Sequence, residues 1–113
     1  MGGRNLSGVT LDFALDFAFR ARIWLYEGAS PWHFVTLPRP VSTQIKTLTA
    51  RRNRAFSSVP VTATIGETRW KTSIFRDNRS AAYLLPIKAS VRLREQLQAG
   101  LKVEVFLIIE FGQ

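Results

Sequence analysis

The chain has 113 residues, of which 46% are hydrophobic and 21% are charged, proportions typical of one globular domain. It contains no cysteine and a single histidine, which excludes a disulfide framework and a zinc site of the ordinary Cys/His type. Lys and Arg outnumber Asp and Glu by 16 to 8, and the formal net charge of +8 indicates an acidic partner.

The first segments predict a flexible arm followed by a long strand. Residues 1–10 are polar and glycine-rich, typical of a loose N-terminal arm, and residues 11–113 then form one domain. Residues 11–26 alternate between apolar and polar side chains, which predicts a β-strand that is bent or divided at the small residues Ala14, Ala18 and Ala21. Charged residues interrupt this stretch, so we expect neither a signal peptide nor a membrane span, and we expect a cytoplasmic protein.

Period-two and helical spacings predict the remaining elements. The helix at 88–97 has Ala89, Leu93 and Leu97 four residues apart, which predicts that these three face the core and that Gly100 caps the helix. The last strand is apolar on both faces and should be central. In chain order, the predicted elements are a strand at 32–37, a helix at 40–50, strands at 59–65, 68–75 and 83–86, a helix at 88–97, and a strand at 102–111.

Two segments of the chain share one pattern. When Leu37-Pro38 is aligned on Leu85-Pro86, each pair is preceded by a strand and followed by a helix and a Val-rich strand. Proline ends the hydrogen-bond ladder of a strand and suits the start of a helix. The fold class predicted is therefore mainly β: two such halves would close a small, pseudo-two-fold β-barrel with two short α-helices.

Four motifs follow one another along the chain at residues 32–38, 58–66, 70–75 and 83–92. Together they resemble a bacterial family of unknown function, DUF1905. The resemblance implies a double-split β-barrel of the kind found in AbrB/MazE/SpoVT-like proteins, and it supplies no catalytic residues. Some relatives carry this domain beside a bacteriocin-protection segment. The chain departs from the family at Ser80-Ala81-Ala82, where relatives have a glycine, and at Gly100-Leu101, where they read Gly-Asp.

Catalytic, metal and cofactor sites are not indicated. A nucleophilic triad would need His33 beside a serine and a carboxylate, but no serine lies in a nucleophile-elbow pattern. Asp12 and Asp16 share a strand face at a separation of about 13 Å, too far apart for an acid–base pair. We therefore expect a protein that is not an enzyme and that uses no metal or cofactor.

The positive charge is concentrated in the middle of the chain. Residues 51–94 contain ten basic and two acidic residues, whereas the two ends are close to neutral. Clustered arginine is typical of surfaces that bind phosphate, so the first hypothesis is a module that contacts nucleic acid or another polyanion. Trp70 would offer a stacking face or belong to the core. The candidate residues are Arg51, Arg52 and Arg54 in a loop, Arg69, Lys71, Arg76 and Arg79 along a hairpin, and Lys88 and Arg92 on an exposed helix face.

A second hypothesis, from a different class, is supported by four large aromatic residues: Trp24, Tyr26, Trp32 and Trp70. They would line a pocket for a small ligand or peptide at the mouth of the barrel, in a stress or bacteriocin-protection role, or they would fill the barrel interior. The exposed edge of the long first strand would also allow a homo-oligomer to form. The residues assigned to this pocket are Trp24, Trp32, His33, Trp70 and Tyr83.

Overall fold

A computed structural model describes residues 13–52 and 58–111, and these residues form seven strands and two helices. The predicted elements are present in the predicted order, while the predicted arm at 1–10 and Arg54 lie outside the described residues. The elements are β1 (Phe13–Arg22), β2 (Trp24–Tyr26), β3 (Trp32–Thr36), α1 (Arg39–Arg52), β4 (Ser58–Ile65), β5 (Thr68–Arg76), β6 (Tyr83–Pro86), α2 (Ala89–Glu95) and β7 (Lys102–Phe111).

The seven strands form one antiparallel sheet in the order β1-β7-β4-β5-β6-β3-β2. Its two edge strands are separated in the chain only by Ile23. Arg22, before this residue, is paired with β7, and Trp24, after it, is paired with β3. One bent segment of the chain, β1 with β2, therefore supplies both edge strands of the sheet. The sheet curls into a half-barrel.

The sequence had predicted a bend at the small alanines, but the bend lies at Ile23. Ile23 donates its N–H to the Leu101 carbonyl (2.9 Å) and accepts the N–H of Gly100 (2.7 Å). Its side chain is fully buried, whereas Ala14, Ala18 and Ala21 lie within the continuous ladder of β1 with β7. The turn before β7 therefore fixes the corner by holding the backbone of a core residue.

The internal repeat predicted from the sequence is confirmed. One half consists of the bent β1–β2 segment, β3, α1 and β4; the other consists of β5, β6, α2 and β7. The halves meet at two antiparallel pairings, β3 with β6 and β4 with β7. Antiparallel pairing of equivalent strands is the geometry that a two-fold axis between the halves requires.

Two pairings in the sheet are incomplete, which makes the barrel split. The ladder of β4 with β7 includes only Thr62–Thr64 of β4, and that of β5 with β6 includes only Phe75 and Arg76 of β5. Pro60 lies in the part of β4 that has no β7 neighbour, where its missing N–H costs no hydrogen bond. Along β5, α2 packs beside the strand where β6 has ended.

The orientation predicted for α2 was wrong. Leu93 is 82% exposed and Ala89 is also exposed, whereas Val91 is buried at 2% and Leu97 is only partly buried. The helix has seven residues, too few to present a stripe of three residues at four-residue spacing. Ile87 and Val91, also four apart, contact the core instead.

The predicted ends of both helices also need correction. The helix cap after α2 is Gln96, with φ 57°, and Gly100 (φ 95°) belongs to the turn before β7. Helix α1 continues through Arg51 to Arg52, so these two arginines end a helix and do not lie in a loop. Within the described residues, neither helix is long and apolar enough to cross a membrane.

Candidate functional site: an aromatic cleft on the outer face

Four aromatic residues lie together on the outer face of the β2–β3 hairpin. Side chains alternate along a strand, so Trp24 and Tyr26 share one face of β2, and Trp32 and Phe34 share one face of β3. The register places Trp24 opposite Phe34 and Tyr26 opposite Trp32. Val35 is fully buried on the other face of β3, so the four rings lie outside the core.

The next two strands turn this aromatic surface into a cleft. Leu84 of β6 is in register with Thr36 of β3 on one side and with Phe75 of β5 on the other. Leu84 and Thr36 are shorter than the rings of Phe34 and Phe75 on either side of them, so the surface is concave at β6. The cleft has a volume of about 480 Å³. Its lining residues are Trp24, Tyr26, Trp32, Phe34, Phe75, Asp77, Arg79 and Leu84.

The rings of the cleft hold one another in place. The Phe34 ring lies 5.3 Å from the Trp24 ring at 39°, and 5.9 Å from the Trp32 ring at 8°. Trp24 also donates its Nε1–H to Thr36 Oγ1 at 2.9 Å, which fixes the indole. Tyr26 (52%), Trp32 (49%) and Phe75 (43%) remain largely exposed. The cleft is therefore already formed and presents three accessible rings, an arrangement suited to stacking against a ligand.

The turn between β5 and β6 presents two charged residues at the cleft. The Asp77 carboxylate accepts the hydroxyl hydrogen of Ser80 (2.8 Å) and the backbone N–H of Arg79 (3.3 Å). These hydrogen bonds, the one from Ser80 foremost, lower the pKa of Asp77. Ala81 donates its N–H to the Asp77 carbonyl (2.7 Å) and adopts φ 62°. The turn is thus internally bonded, and it holds the backbone of Arg79 beside the aromatic rings.

The structure brings together two of the five residues predicted for the pocket. Trp24 and Trp32 line the cleft, whereas Trp70 and Tyr83 are buried in the core and His33 is not part of the lining. The alternation of β5 and β6 explains the error, because Trp70 shares the inner face of its strand with Ile74, and Tyr83 precedes the outward-facing Leu84.

His33 lies behind the cleft, on the inner side of β3. It is half-buried, and its Nδ1 has no hydrogen-bond partner among the described residues. Burial, together with the positive charge of Arg92, lowers the pKa of His33. Its environment thus favours a neutral imidazole that supports the fold.

Sequence reasoning missed Phe34, Phe75 and Leu84, whereas it had named Tyr26 among the large aromatic residues that would line a pocket. Phe34 could have been found, because it lies two residues from Trp32 and so shares its strand face. Phe75 and Leu84 join the cleft only through the order of β3, β6 and β5, which local patterns do not contain.

Two of the predicted basic residues lie on the same strand face as Phe75. Arg69 and Lys71 are exposed on the outer face of β5. They are in register with Thr64 and Thr62 of β4, so the neighbouring strand places no carboxylate opposite them. Together with Arg79, they form a group that we call the basic strip, which leads away from the cleft along β5.

The other predicted basic residues lie elsewhere. Arg76 is half-buried, with no hydrogen-bond partner for its Nε among the described residues, and Arg92 donates its Nε–H to the Ile87 carbonyl (3.1 Å). Lys88 is exposed at the start of α2, while Arg51 and Arg52 end α1. The basic residues of 51–94 thus occupy several elements, and only the basic strip adjoins the cleft.

Comparison with known proteins identifies a family but no activity. In the part of the chain that the structure describes, no three His, Cys, Asp or Glu residues are grouped so that they could hold a metal ion. No curated protein matches the chain. The family model described as "Domain of unknown function (DUF1905)" matches residues 19–107, a span that includes the aromatic rings, the turn after β5 and the basic strip. The chain therefore belongs to the DUF1905 family.

Proposed function

We propose that this domain is a non-enzymatic, cytoplasmic binding module that holds a ring-containing ligand, either a small molecule or a segment of a larger one, in the aromatic cleft. The observation that carries the proposal is the set of three exposed rings, Tyr26, Trp32 and Phe75, around one concave surface. Contiguous exposed apolar surface of this kind is uncommon on proteins with no partner and marks binding sites.

The dimensions and chemistry of the cleft support the same proposal. Its volume of about 480 Å³ falls within the range of ligand pockets, which is about 300–1,000 Å³. Most of its lining is apolar, and Asp77 and Arg79 supply the few polar groups that orient a ligand. Because the rings already pack against each other, binding requires little ordering of side chains, which reduces its entropic cost.

The second candidate function is polyanion binding. It is favoured by the exposed position of Arg69 and Lys71 opposite two threonines, because exposed cationic side chains attract phosphate. This candidate predicts affinity that falls steeply with salt, whereas binding in the cleft alone predicts affinity that salt changes little.

The test of the cleft uses the fluorescent dye ANS, which binds exposed apolar surface. We expect ANS to bind the protein and the binding to weaken at least about 5-fold in Trp32→Ala and Phe75→Ala, the effect of losing one stacking contact. Phe106→Ala is the matched control, because Phe106 is similarly exposed (46%) but lies on β7, outside the cleft. Equal binding by all variants, or equal loss in Phe106→Ala, would show that the cleft is not the site.

A further inference from the structure

We infer that the ligand of the cleft is single-stranded nucleic acid, with bases stacked on the aromatic rings and phosphates along the basic strip. This inference rests on the proposed function, since it requires that the cleft binds rings. It joins two observations: an aromatic cleft, and exposed positive charge on the strand that forms one side of it.

The outer face of β5 connects the cleft to the positive charges. Arg69, Lys71, Ser73 and Phe75 lie at every second position of the strand and therefore on one face. At about 3.3 Å per residue, the distance from Phe75 to Arg69 is about 20 Å. A small ligand in the cleft cannot reach this far, whereas a polymer with a charge at each unit can contact both ends.

The charges of the strip suit phosphates that follow the strand. Thr62 and Thr64 face Lys71 and Arg69 from β4, so a chain passing over β5 meets hydroxyl and cationic groups at this point. At the cleft end, Arg79 adds a further positive charge. The carboxylate of Asp77 beside it keeps its negative charge, and it accepts the hydroxyl hydrogen of Ser80 (2.8 Å) and the backbone N–H of Arg79 (3.3 Å) within its own turn.

The concave aromatic surface favours a single strand over a duplex. A ring can stack in the cleft only if its flat face is accessible, and in a duplex the faces of the bases are covered by their neighbours. Single-strand binding sites combine aromatic platforms with a positive groove that follows the backbone. The length of the site corresponds to about four to six nucleotides.

The experiment measures the fluorescence anisotropy of a labelled oligothymidylate of about eight nucleotides as protein is added, at several salt concentrations. We expect the logarithm of the affinity to fall linearly with the logarithm of salt concentration, with a slope near −2 for about three phosphate contacts. A duplex of the same length should bind more weakly than the single strand.

Two variants separate the two parts of the site. Arg69→Gln combined with Lys71→Gln should make the salt slope less steep by about 1.4, because each lost contact removes about 0.7. Phe75→Ala should weaken binding between about 5-fold and 150-fold and leave the slope unchanged, because stacking involves no counterion release. The control, Arg20→Gln with Lys102→Gln, removes the same charge from exposed positions on β1 and β7 and should leave the slope near −2.

The outcomes distinguish this inference from the proposed function. If oligothymidylate does not bind while ANS binding still depends on Phe75, the cleft is a binding site for another ligand and the inference is wrong. Tighter binding of the duplex, or oligonucleotide binding that ignores Phe75→Ala and Trp32→Ala, would also overturn it. If a proline-rich peptide binds in the cleft and the oligonucleotide does not, the ligand is a peptide. If ANS does not bind the protein either, the proposed function is also wrong.

Discussion

Replacement of Gly66 by alanine should destabilise the domain by about 3 kcal/mol. Gly66 forms the β4–β5 turn with φ 61°, and a side chain in this conformation costs about 1–2 kcal/mol. A Cβ at this position would also overlap the carboxylate of Glu95, at the end of α2. That carboxylate accepts the hydroxyl hydrogen of buried Thr68 (2.6 Å) and the backbone N–H of Glu67 (3.2 Å). Displacing it would lose a charge-assisted hydrogen bond, a loss of about 1.5–3 kcal/mol.

The assay is thermal and urea unfolding of a double-mutant cycle. Gly66→Ala should lower the Tm by roughly 12–24 °C, on the scale of about 4–8 °C per kcal/mol for a small domain. In a Glu95→Ala background the carboxylate is absent, so the same glycine substitution should cost only the backbone strain of about 1–2 kcal/mol. If Gly66→Ala costs the same in both backgrounds, the added Cβ does not displace the Glu95 carboxylate from its hydrogen bonds. If it costs nothing, the turn does not adopt a left-handed conformation.

Four further outcomes follow from buried or strained positions. In urea unfolding, Val91→Ala should lower the free energy of unfolding by about 1.5–3 kcal/mol, because Val91 is buried. Leu93→Ala on the same helix should change it by no more than about 0.5 kcal/mol, because Leu93 is exposed. Equal effects would contradict the observed orientation of α2. Ser42→Ala should lower the free energy of unfolding by about 1–3 kcal/mol, because the serine hydroxyl accepts the buried backbone N–H of Tyr83 at the start of β6 (3.0 Å). An unchanged Tm would mean that this N–H has another partner. Ala81→Gly should raise the free energy of unfolding by up to about 1 kcal/mol, since glycine adopts φ 62° without strain; a decrease would show that the turn tolerates alanine. The folded state holds the pKa of His33 below its ordinary value of 6.5, so the unfolded chain binds the proton more tightly. The contribution of His33 to the free energy of unfolding should therefore be complete above pH 6.5 and should decrease as the pH drops below it. If the assignment to His33 is correct, His33→Gln should remove this decrease between pH 7.5 and 5.5.

Much of the fold could be predicted because strand periodicity is a local property. The apolar residues Val103, Val105, Leu107 and Ile109 define the inner face of β7, and their burial follows from period two. The Leu-Pro pair that follows β3 and the one that ends β6 similarly mark the end of a strand in the sequence itself. These signals fix where elements begin and which face is buried.

The orientation of α2 could not be predicted in the same way. Two sets of apolar residues, one containing Val91 and the other Leu93, lie at helical spacing within the same segment. Which of the two sets is buried depends on where β6 ends and the helix begins. Burial of Ile87 at the end of that strand places Val91, one turn later, against the core and turns Leu93 to solvent. A helix of seven residues has too little apolar surface of its own to impose a different orientation.

The cleft arises where the two halves of the barrel differ. In the first half, the β2–β3 hairpin carries four aromatic rings, whereas the corresponding β5–β6 hairpin contributes Phe75 and Leu84 to the same surface. The pairing of β3 with β6 joins these surfaces across the pseudo-two-fold axis. When the two Leu-Pro pairs are aligned, Leu84 corresponds to Thr36 and Ala82 to Phe34, so the second half does not repeat the rings of the first. The site therefore exists only when both halves are folded and paired, so a ligand in the cleft should stabilise the whole domain and raise its Tm with ligand concentration.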